Sequence, residues 1–346
     1  MSDLMEGIEQ RTVATPRLEV NVLHRPGEQR DAPVVFVHGN CSSSLFWQPL
    51  MLSLPMESYA IDLRGFGRTQ TLPLDATRGL GDFADDVLAT LDALGIARAH
   101  LVGWSMGGGV VQQVLLTRPE AVASLTLQAP VSPYGFGGTA AGGRSLSPDG
   151  VGTGAGGANP AFVQALASKD RGDGPASARS VYRMTYVAPG HHDEHEDLWV
   201  TSILSTAVGP DNYPGDSRTT EQWPGFAAGD RGVLNAMSPV HFDISGIADV
   251  QPKPPILWVR GDADVIVSDS SGLDLNNLGR LGVIPGWPGE QAAPPQPMVS
   301  QTREVLDRYV EAGGRVREVV LPGVGHSPHL ERPAQFRAAL LEHLGG

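Results

Sequence analysis

The stretch of this chain best suited to nucleophilic chemistry is a serine with a glycine two residues away on each side, Gly103-Trp104-Ser105-Met106-Gly107. A short apolar run precedes it (Leu101, Val102), and Val110, Val111, Val114, Leu115 and Leu116 follow it at helix-compatible spacing. A strand, a sharp turn and a helix in that order hold a serine in a strained conformation with its hydroxyl exposed. A β-carbon at either flanking glycine would collide with the tight crossing. The start of the helix also aims amide groups at whatever sits on Ser105. The pentapeptide alone is weak, since an ordinary strand-to-helix turn can contain a serine. The flanking elements give it weight.

A serine hydroxyl is a poor nucleophile until a base takes its proton. Histidine suits this role because it titrates near neutrality. His326 ends Leu321-Pro322-Gly323-Val324-Gly325-His326, directly after the last apolar strand. His24, His100 and His343 fall at edge, pre-strand and terminal-helix positions, and His241 near the exit of the long central segment. His329 is close enough to His326 to shape the pocket. An orienting acid belongs at the end of the apolar run 256–259, where Asp262 and Asp264 compete. The run 125–128 is followed by Ala129, Pro130 and Val131 and offers none. Serine, aspartate and histidine in that chain order match one of the orders in which such triads occur.

These groups meet only if the fold brings strand ends together. Residues 11–25 alternate loosely and predict a hairpin at a sheet edge. Pro33-Val34-Val35-Phe36-Val37-His38-Gly39 reads as a strand buried on both faces. Ser42, Ser43 and Ser44 then cap a helix carrying Leu45, Phe46, Trp47, Leu50 and Leu54. Residues 59–63 form the next strand, and 80–94 have helical spacing stopped by Gly95. Alternating strands and helices predict an α/β protein with a mostly parallel sheet, whose sites lie beyond the carboxyl ends of the strands. The rhythm breaks at Val131. Residues 135–158, rich in Gly, Ala, Ser and Pro, are expected to be mobile. Residues 131–250 are expected to form an inserted, mainly helical cap over the site, with 1–130 and 251–346 as the core. A second Gly- and Pro-rich insertion spans about 268–297.

The 346 residues are 41% apolar, enough for a sizeable core, and no run of 18 apolar residues is present to span a membrane. The acidic first ten residues lack the regions of a signal peptide, so a cytoplasmic location is expected. A single cysteine, Cys41, excludes an intrachain disulfide and a multi-cysteine zinc site. A net charge of −13 argues against nucleic acid as a partner.

The chain resembles the α/β-hydrolase superfamily over residues of about 33–130 and 253–346. The resemblance rests on His38-Gly39, Asp62-Leu63-Arg64-Gly65-Phe66-Gly67, the Ser105 turn, Gly261-Asp262-Ala263-Asp264, and Gly325-His326 followed by Glu331-Arg332-Pro333. It implies an eight-stranded, mostly parallel sheet flanked by helices. The family places its acid three residues after the glycine, which selects Asp264 as partner of His326. It implies backbone amides of Asn40 and Met106 as oxyanion donors, with no cofactor and no metal. His38-Gly39-Asn40 with Ser42–44 and Trp47 is similar to the oxyanion loop of dehalogenases, but serine at the nucleophile position argues against dehalogenase and epoxide hydrolase chemistry. Thr69 stands where the family often has serine, and the second insertion stretches the acid-to-histidine gap.

The function expected is hydrolysis of a small-molecule ester or lactone through an acyl-enzyme on Ser105. The same triad also serves carbon–carbon hydrolysis, perhydrolysis, acyl transfer and cofactor-free lyase chemistry, and fold does not choose among them. A non-catalytic ligand receptor is the reading from another class. Trp104, Val131, Tyr134, Trp199, Val265 and His329 are the expected substrate contacts. Trp258 suits either pocket or core, and Phe162, Tyr182 and Tyr186 either roof the pocket or hold the cap together. Cys41 reads as a reactive thiol or, more simply, a small packed residue. His191-His192-Asp193-Glu194-His195-Glu196-Asp197 reads as a metal cluster or, more simply, a solvated charged loop. Residues 152–157 match a dinucleotide glycine pattern but follow no strand.

Overall fold

The computed structural model describes residues 3–345. Eight strands form one sheet: β1 (Glu9–Ala14), β2 (Glu19–Arg25), β3 (Val34–Val37), β4 (Ser58–Ile61), β5 (Ala99–Trp104), β6 (Val122–Gln128), β7 (Ile256–Gly261) and β8 (Val316–Leu321). Their order across the sheet is β1-β2-β4-β3-β5-β6-β7-β8. β1 and β2 are an antiparallel hairpin at one edge, with Glu9 opposite His24, and β2 runs antiparallel to β4. The remaining pairs are parallel. This is the α/β-hydrolase architecture, with its sheet mostly parallel as expected.

Burial explains the strand sequences. All four residues of β3 and of β4 are buried, and the apolar run of β3 needs no alternation because both faces are covered. The helices that cover the sheet have one-sided apolar faces. In α1 (Gln48–Ser53) and α2 (Gly81–Ala93) the buried set includes Leu50, Met51, Phe83, Val87, Leu88 and Leu91. Gly95 follows α2 with φ of +71°, a left-handed position that glycine occupies at no steric cost. Helix α3 (Met106–Thr117) leaves directly from β5 and packs on β3, β5 and β6.

Between β6 and β7 the chain leaves the sheet. This segment carries α4 (Pro160–Ala167), α5 (Ala178–Val181), a π-helical turn (Tyr182–Tyr186) and α6 (Glu196–Leu204). Its later half differs from the helical expectation. Val208–Gly209 pairs with Tyr213–Pro214, and Ser217–Thr219 with Phe226–Ala228, in short two-stranded ladders. Gly and Pro recur through 209–232 and interrupt any helix there.

The stretch 135–158 is also not the free linker its composition suggests. Phe136 N donates to Met237 O at 2.8 Å, Ala155 N to Asn235 Oδ1 at 3.0 Å, and Thr153 Oγ1 bonds Ser238 Oγ at 2.7 Å. Its glycines supply the positive-φ turns that bring those groups into register. A buried chain of side chains ties the two insertions together. Gln296 Nε2 donates to Gln301 Oε1 at 2.7 Å, and Ser132 Oγ donates to the same oxygen at 2.6 Å. The second insertion carries α7 (Leu275–Arg280), capped by Asp274, and precedes α8 (Met298–Glu311). After β8 come α9 (Pro328–Glu331) and α10 (Pro333–Gly345). Among the described residues no helix is long and apolar enough to cross a membrane.

Candidate active site

Ser105 sits between β5 and α3 with φ of +57° and ψ of −120°, outside the regions an L-residue prefers. The end of β6 and the residues just after it hold it there. Ser105 N donates to Gln128 O at 2.9 Å, and Val131 N donates to Ser105 O at 3.0 Å. The glycine requirement is steric. A β-carbon on Gly103 would lie 2.3 Å from Gly107 O, and one on Gly107 would lie 2.4 Å from His38 O and Val37 O. The loop after β3 passes just as close, since a β-carbon on Gly39 would be 3.0 Å from that of Ser105.

His326 follows β8. Its Nδ1 lies 2.8 Å from Asp264 Oδ2, and both side chains are almost wholly buried. The other oxygen of Asp264 accepts from Ile266 N at 2.8 Å and Val267 N at 3.0 Å. The carboxylate is therefore oriented from behind, with Oδ2 left for the imidazole. Asp262 is turned elsewhere and accepts from Gly323 N at 2.6 Å. Trp104 Nε1 donates to His326 O at 2.8 Å, so the residue beside the serine also fixes the histidine loop. Ser105 and His326 line one cavity. No hydrogen bond joins Ser105 Oγ to His326 in this state, which is common where substrate completes the contact.

Two buried groups set up the surroundings. His38 Nε2 accepts from Leu63 N at 3.0 Å and Nδ1 lies 2.7 Å from Gly39 O, so its proton sits on Nδ1. Burial lowers its pKa and keeps it neutral. Asp62 Oδ1 accepts from Ser44 N at 2.7 Å and Oδ2 from Arg68 N at 2.9 Å. The Asp62-to-Gly67 motif thus braces the loop that carries Asn40.

Glu331 performs a similar task at the histidine. Its two oxygens accept from Gly325 N at 2.9 and 3.0 Å, and Oε2 accepts from Ala188 N at 2.9 Å. A glutamine has one acceptor oxygen and would aim its amide at a donor. Glu331→Gln is expected to cost about 1–3 kcal/mol of stability, read as a lowered midpoint in thermal or denaturant unfolding. An unchanged midpoint would rule out this clamp.

The cavity has a volume of about 440 Å³. Asn40, Trp104 and Val131 line it, as do Phe162 and Tyr186 from the first insertion, Ile266 from the turn at Asp264, and Leu275 and Leu278 from the second insertion. Met106 is buried beneath the serine. As the first residue of α3, its amide has no carbonyl one turn back to receive it.

Four expected substrate contacts do not line the cavity. Tyr134 is buried elsewhere, its hydroxyl accepting from Arg308 Nη2 at 3.1 Å. Trp199 stacks on Phe46 at 4.7 Å between ring centroids and donates through Nε1 to Asp193 Oδ2 at 2.8 Å, so it is core. Val265 points to solvent, because the turn held by Asp264 sends Ile266 and Val267 inward instead. His329 lies behind Trp104, its ring tilted against Trp47 at 4.6 Å between centroids, with Nδ1 accepting from Gln128 Nε2 at 2.7 Å. Burial depresses its pKa to about 3 and leaves it neutral. Trp258 is also core, under the guanidinium groups of Arg260 and Arg303.

The remaining motifs find plain roles. Cys41 lines the cavity, but burial pushes its thiol up to about 12, the wrong direction for a reactive thiolate. Glu196 pairs with Arg179 and Arg183, and Asp193 with Trp199. Among the described residues no cluster of His, Cys, Asp and Glu is arranged to hold a metal ion. Gly152, Gly154 and Gly157 form cavity wall. The contacts missed in the sequence, such as Met237, Leu275 and Leu278, carry no local signal beyond being apolar.

Known proteins place this geometry. Over 108 residues the chain is 32% identical to carboxylesterase YbfK of Bacillus subtilis, covering 30% of this chain and 36% of that one. Over 107 residues it is 40% identical to a dihydrolipoyllysine-residue acetyltransferase component of the acetoin cleaving system of Pseudomonas putida, covering 30% and 28%. These matches span about a third of the length of the curated relatives. The solved esterase EaEST from Exiguobacterium antarcticum superposes with a TM-score of 0.61 at 14% identity, covering 98% of this chain and 100% of that one. A family model described as the alpha/beta hydrolase fold matches residues 32–286, from the start of the parallel strands to beyond Asp264. By that match and by its sheet, the chain belongs to the α/β-hydrolase fold family.

Proposed function

We propose that this protein is a serine hydrolase acting on a small, uncharged carboxylic ester or lactone. The observation that carries the reading is the 2.8 Å contact of His326 Nδ1 with Asp264 Oδ2, in a cavity that His326 shares with the strained Ser105. Ser105 Oγ attacks the carbonyl carbon. His326 Nε2 takes the hydroxyl proton and returns it to the leaving alcohol. Asp264 holds the imidazole in the right tautomer and stabilises the imidazolium. The amides of Asn40 and Met106 hold the tetrahedral oxyanion, each worth roughly 3 kcal/mol. Water, deprotonated by His326, then releases the acid and restores Ser105. Residues 131–250 act as a cap that supplies part of the pocket and excludes water.

Hydrolysis of p-nitrophenyl esters, with a fluorophosphonate adduct located on Ser105 by mass spectrometry, tests the assignment. Absence of both would favour a ligand receptor.

The preference for neutral substrates follows from the lining. Among the described residues no lysine or arginine lines the cavity, and the acidic Asp274 does. An unpaired carboxylate buried there would cost several kcal/mol. p-Nitrophenyl hemisuccinate is therefore expected to show a kcat/KM at least about 100-fold below p-nitrophenyl butyrate, since 1.4 kcal/mol is tenfold. Equal efficiencies would refute an uncharged substrate class.

A further inference from the structure

The loop that carries Asn40 is strained. Cys41, the next residue, has φ of +46°, a left-handed conformation that is uncommon for a side chain of this kind. Such strain persists only where the surroundings over-determine it. Part of the restraint is local, with Cys41 N donating to Asn40 Oδ1 at 2.9 Å and Ser42 Oγ to Gly39 O at 2.8 Å. Besides the Asp62 brace further along the loop, restraint comes from the inserted segment, more than a hundred residues away in the chain.

Tyr186, at the end of the π-helical turn, is buried and places its hydroxyl 3.0 Å from Asn40 O and 2.9 Å from Cys41 O. One phenolic proton thus serves two consecutive carbonyls of the loop. The ring is held on three sides, stacked on Phe46 at 6.0 Å and edge-on to Trp104 at 5.6 Å and to His326 at 6.5 Å. Burial drives the phenol pKa well upward, so the hydroxyl stays protonated and remains a donor. Ser202 Oγ, also from the insertion, bonds Ser43 Oγ at 2.6 Å a little further along the same loop.

We propose that Tyr186 is a positioning residue for the oxyanion loop, so that seating of the 131–250 segment aligns the Asn40 amide with the transition state. The proposal rests on the serine-hydrolase reading and extends it. A peptide unit is planar, and fixing the carbonyls of Asn40 and Cys41 restricts rotation of the loop on both sides of the strained residue. The gain appears only where negative charge develops on the substrate oxygen, so it belongs in kcat rather than in binding. The same hydroxyl makes catalytic competence depend on the insertion. A loop released from it is free to relax Cys41 and carry the Asn40 amide off target.

The test is Tyr186→Phe, which keeps the ring and removes the proton. The expected result is a kcat about tenfold lower with KM within twofold, and a matching fall in the rate of phosphonylation by a neutral phosphonate, whose attack needs the same oxyanion donors. Tyr309→Phe is the control. It deletes another buried hydroxyl-to-carbonyl bond, 2.6 Å from Tyr309 to Pro254 O, outside the cavity lining, and is expected to leave kcat unchanged. 4-Aminophenylalanine at position 186 restores an N–H donor and is expected to recover kcat to within about threefold; it also serves if the phenylalanine variant does not fold. A Tyr186→Phe protein with wild-type kcat, or with a loss matched by Tyr309→Phe, overturns the proposal. Ser105→Ala measured alongside keeps the two ideas separate. An active Ser105→Ala enzyme defeats the serine mechanism, whereas an inactive one beside a fully active Tyr186→Phe defeats only the role given to Tyr186.

Discussion

Replacing Ser105 with alanine is expected to lower kcat on the order of a millionfold, with affinity for a neutral ester little changed. Without the hydroxyl, no acyl-enzyme forms, and His326 has no proton to take. Water attack assisted by the oxyanion donors and by substrate positioning is all that remains. The fold should tolerate the change, because alanine has the same β-carbon as serine and meets the φ of +57° no less easily. The elbow itself is maintained by Gln128 O and Val131 N, which bond the backbone of residue 105. The measurement is steady-state turnover of a p-nitrophenyl ester on protein shown to be folded and free of other hydrolases. A variant that kept one hundredth of the activity would remove Ser105 from the mechanism.

The second large effect is expected at the acid. Asp264→Asn should lower kcat by about 10⁴-fold. The hydrogen-bond pattern explains the severity. Oδ1 of Asp264 receives two backbone N–H groups, from Ile266 and Val267. An asparagine must place its carbonyl oxygen there, because an amide NH₂ cannot accept them. Its NH₂ would then face Nδ1 of His326, which lies 2.8 Å from Oδ2 in the native pair. That donor forces the imidazole to carry its proton on Nε2, the nitrogen that must accept from Ser105. The charge that stabilises the imidazolium is lost in the same step. Steady-state kinetics tests the size of the loss, and an NMR assignment of the His326 tautomer tests its cause. A loss below about tenfold, or an unchanged tautomer, would separate Asp264 from the reaction.

The elements that position these groups were legible in the sequence to different degrees. The edge hairpin, the buried strand β3, the helix stopped by Gly95 and the strand–serine–helix turn all depend on neighbours within a few residues. Periodicity and glycine placement therefore report them directly. The inserted segment was legible as an interruption but not as a structure. Its glycine-rich part is ordered by Met237, Asn235 and Ser238, which lie some 80 or more residues further on and leave no mark on the local composition. Pocket residues were the least legible. Trp199 and His329 look functional by residue type, yet the packing of Phe46 and Trp47 turns both into core. Val265 fails for a different reason: the turn made by Asp264 points the two following side chains inward and leaves this one in water.

By itself, then, the amino-acid order determined the elbow around Ser105, because only glycine survives contacts as short as 2.3 Å at Gly103 and 2.4 Å at Gly107. It also determined the alternation that builds a parallel sheet and so puts Asn40, Ser105 and His326 near one edge. The residues by themselves left Asp262 and Asp264 both open and the family resemblance favoured Asp264, but the physical reason is tertiary: the amides of Ile266 and Val267 orient Asp264 toward the imidazole while that of Gly323 engages Asp262. Tertiary structure alone decided that Tyr186 reaches the carbonyls of Asn40 and Cys41. Backbone strain is a local property and is written locally. A hydrogen bond between segments more than a hundred residues apart exists only after the chain has packed.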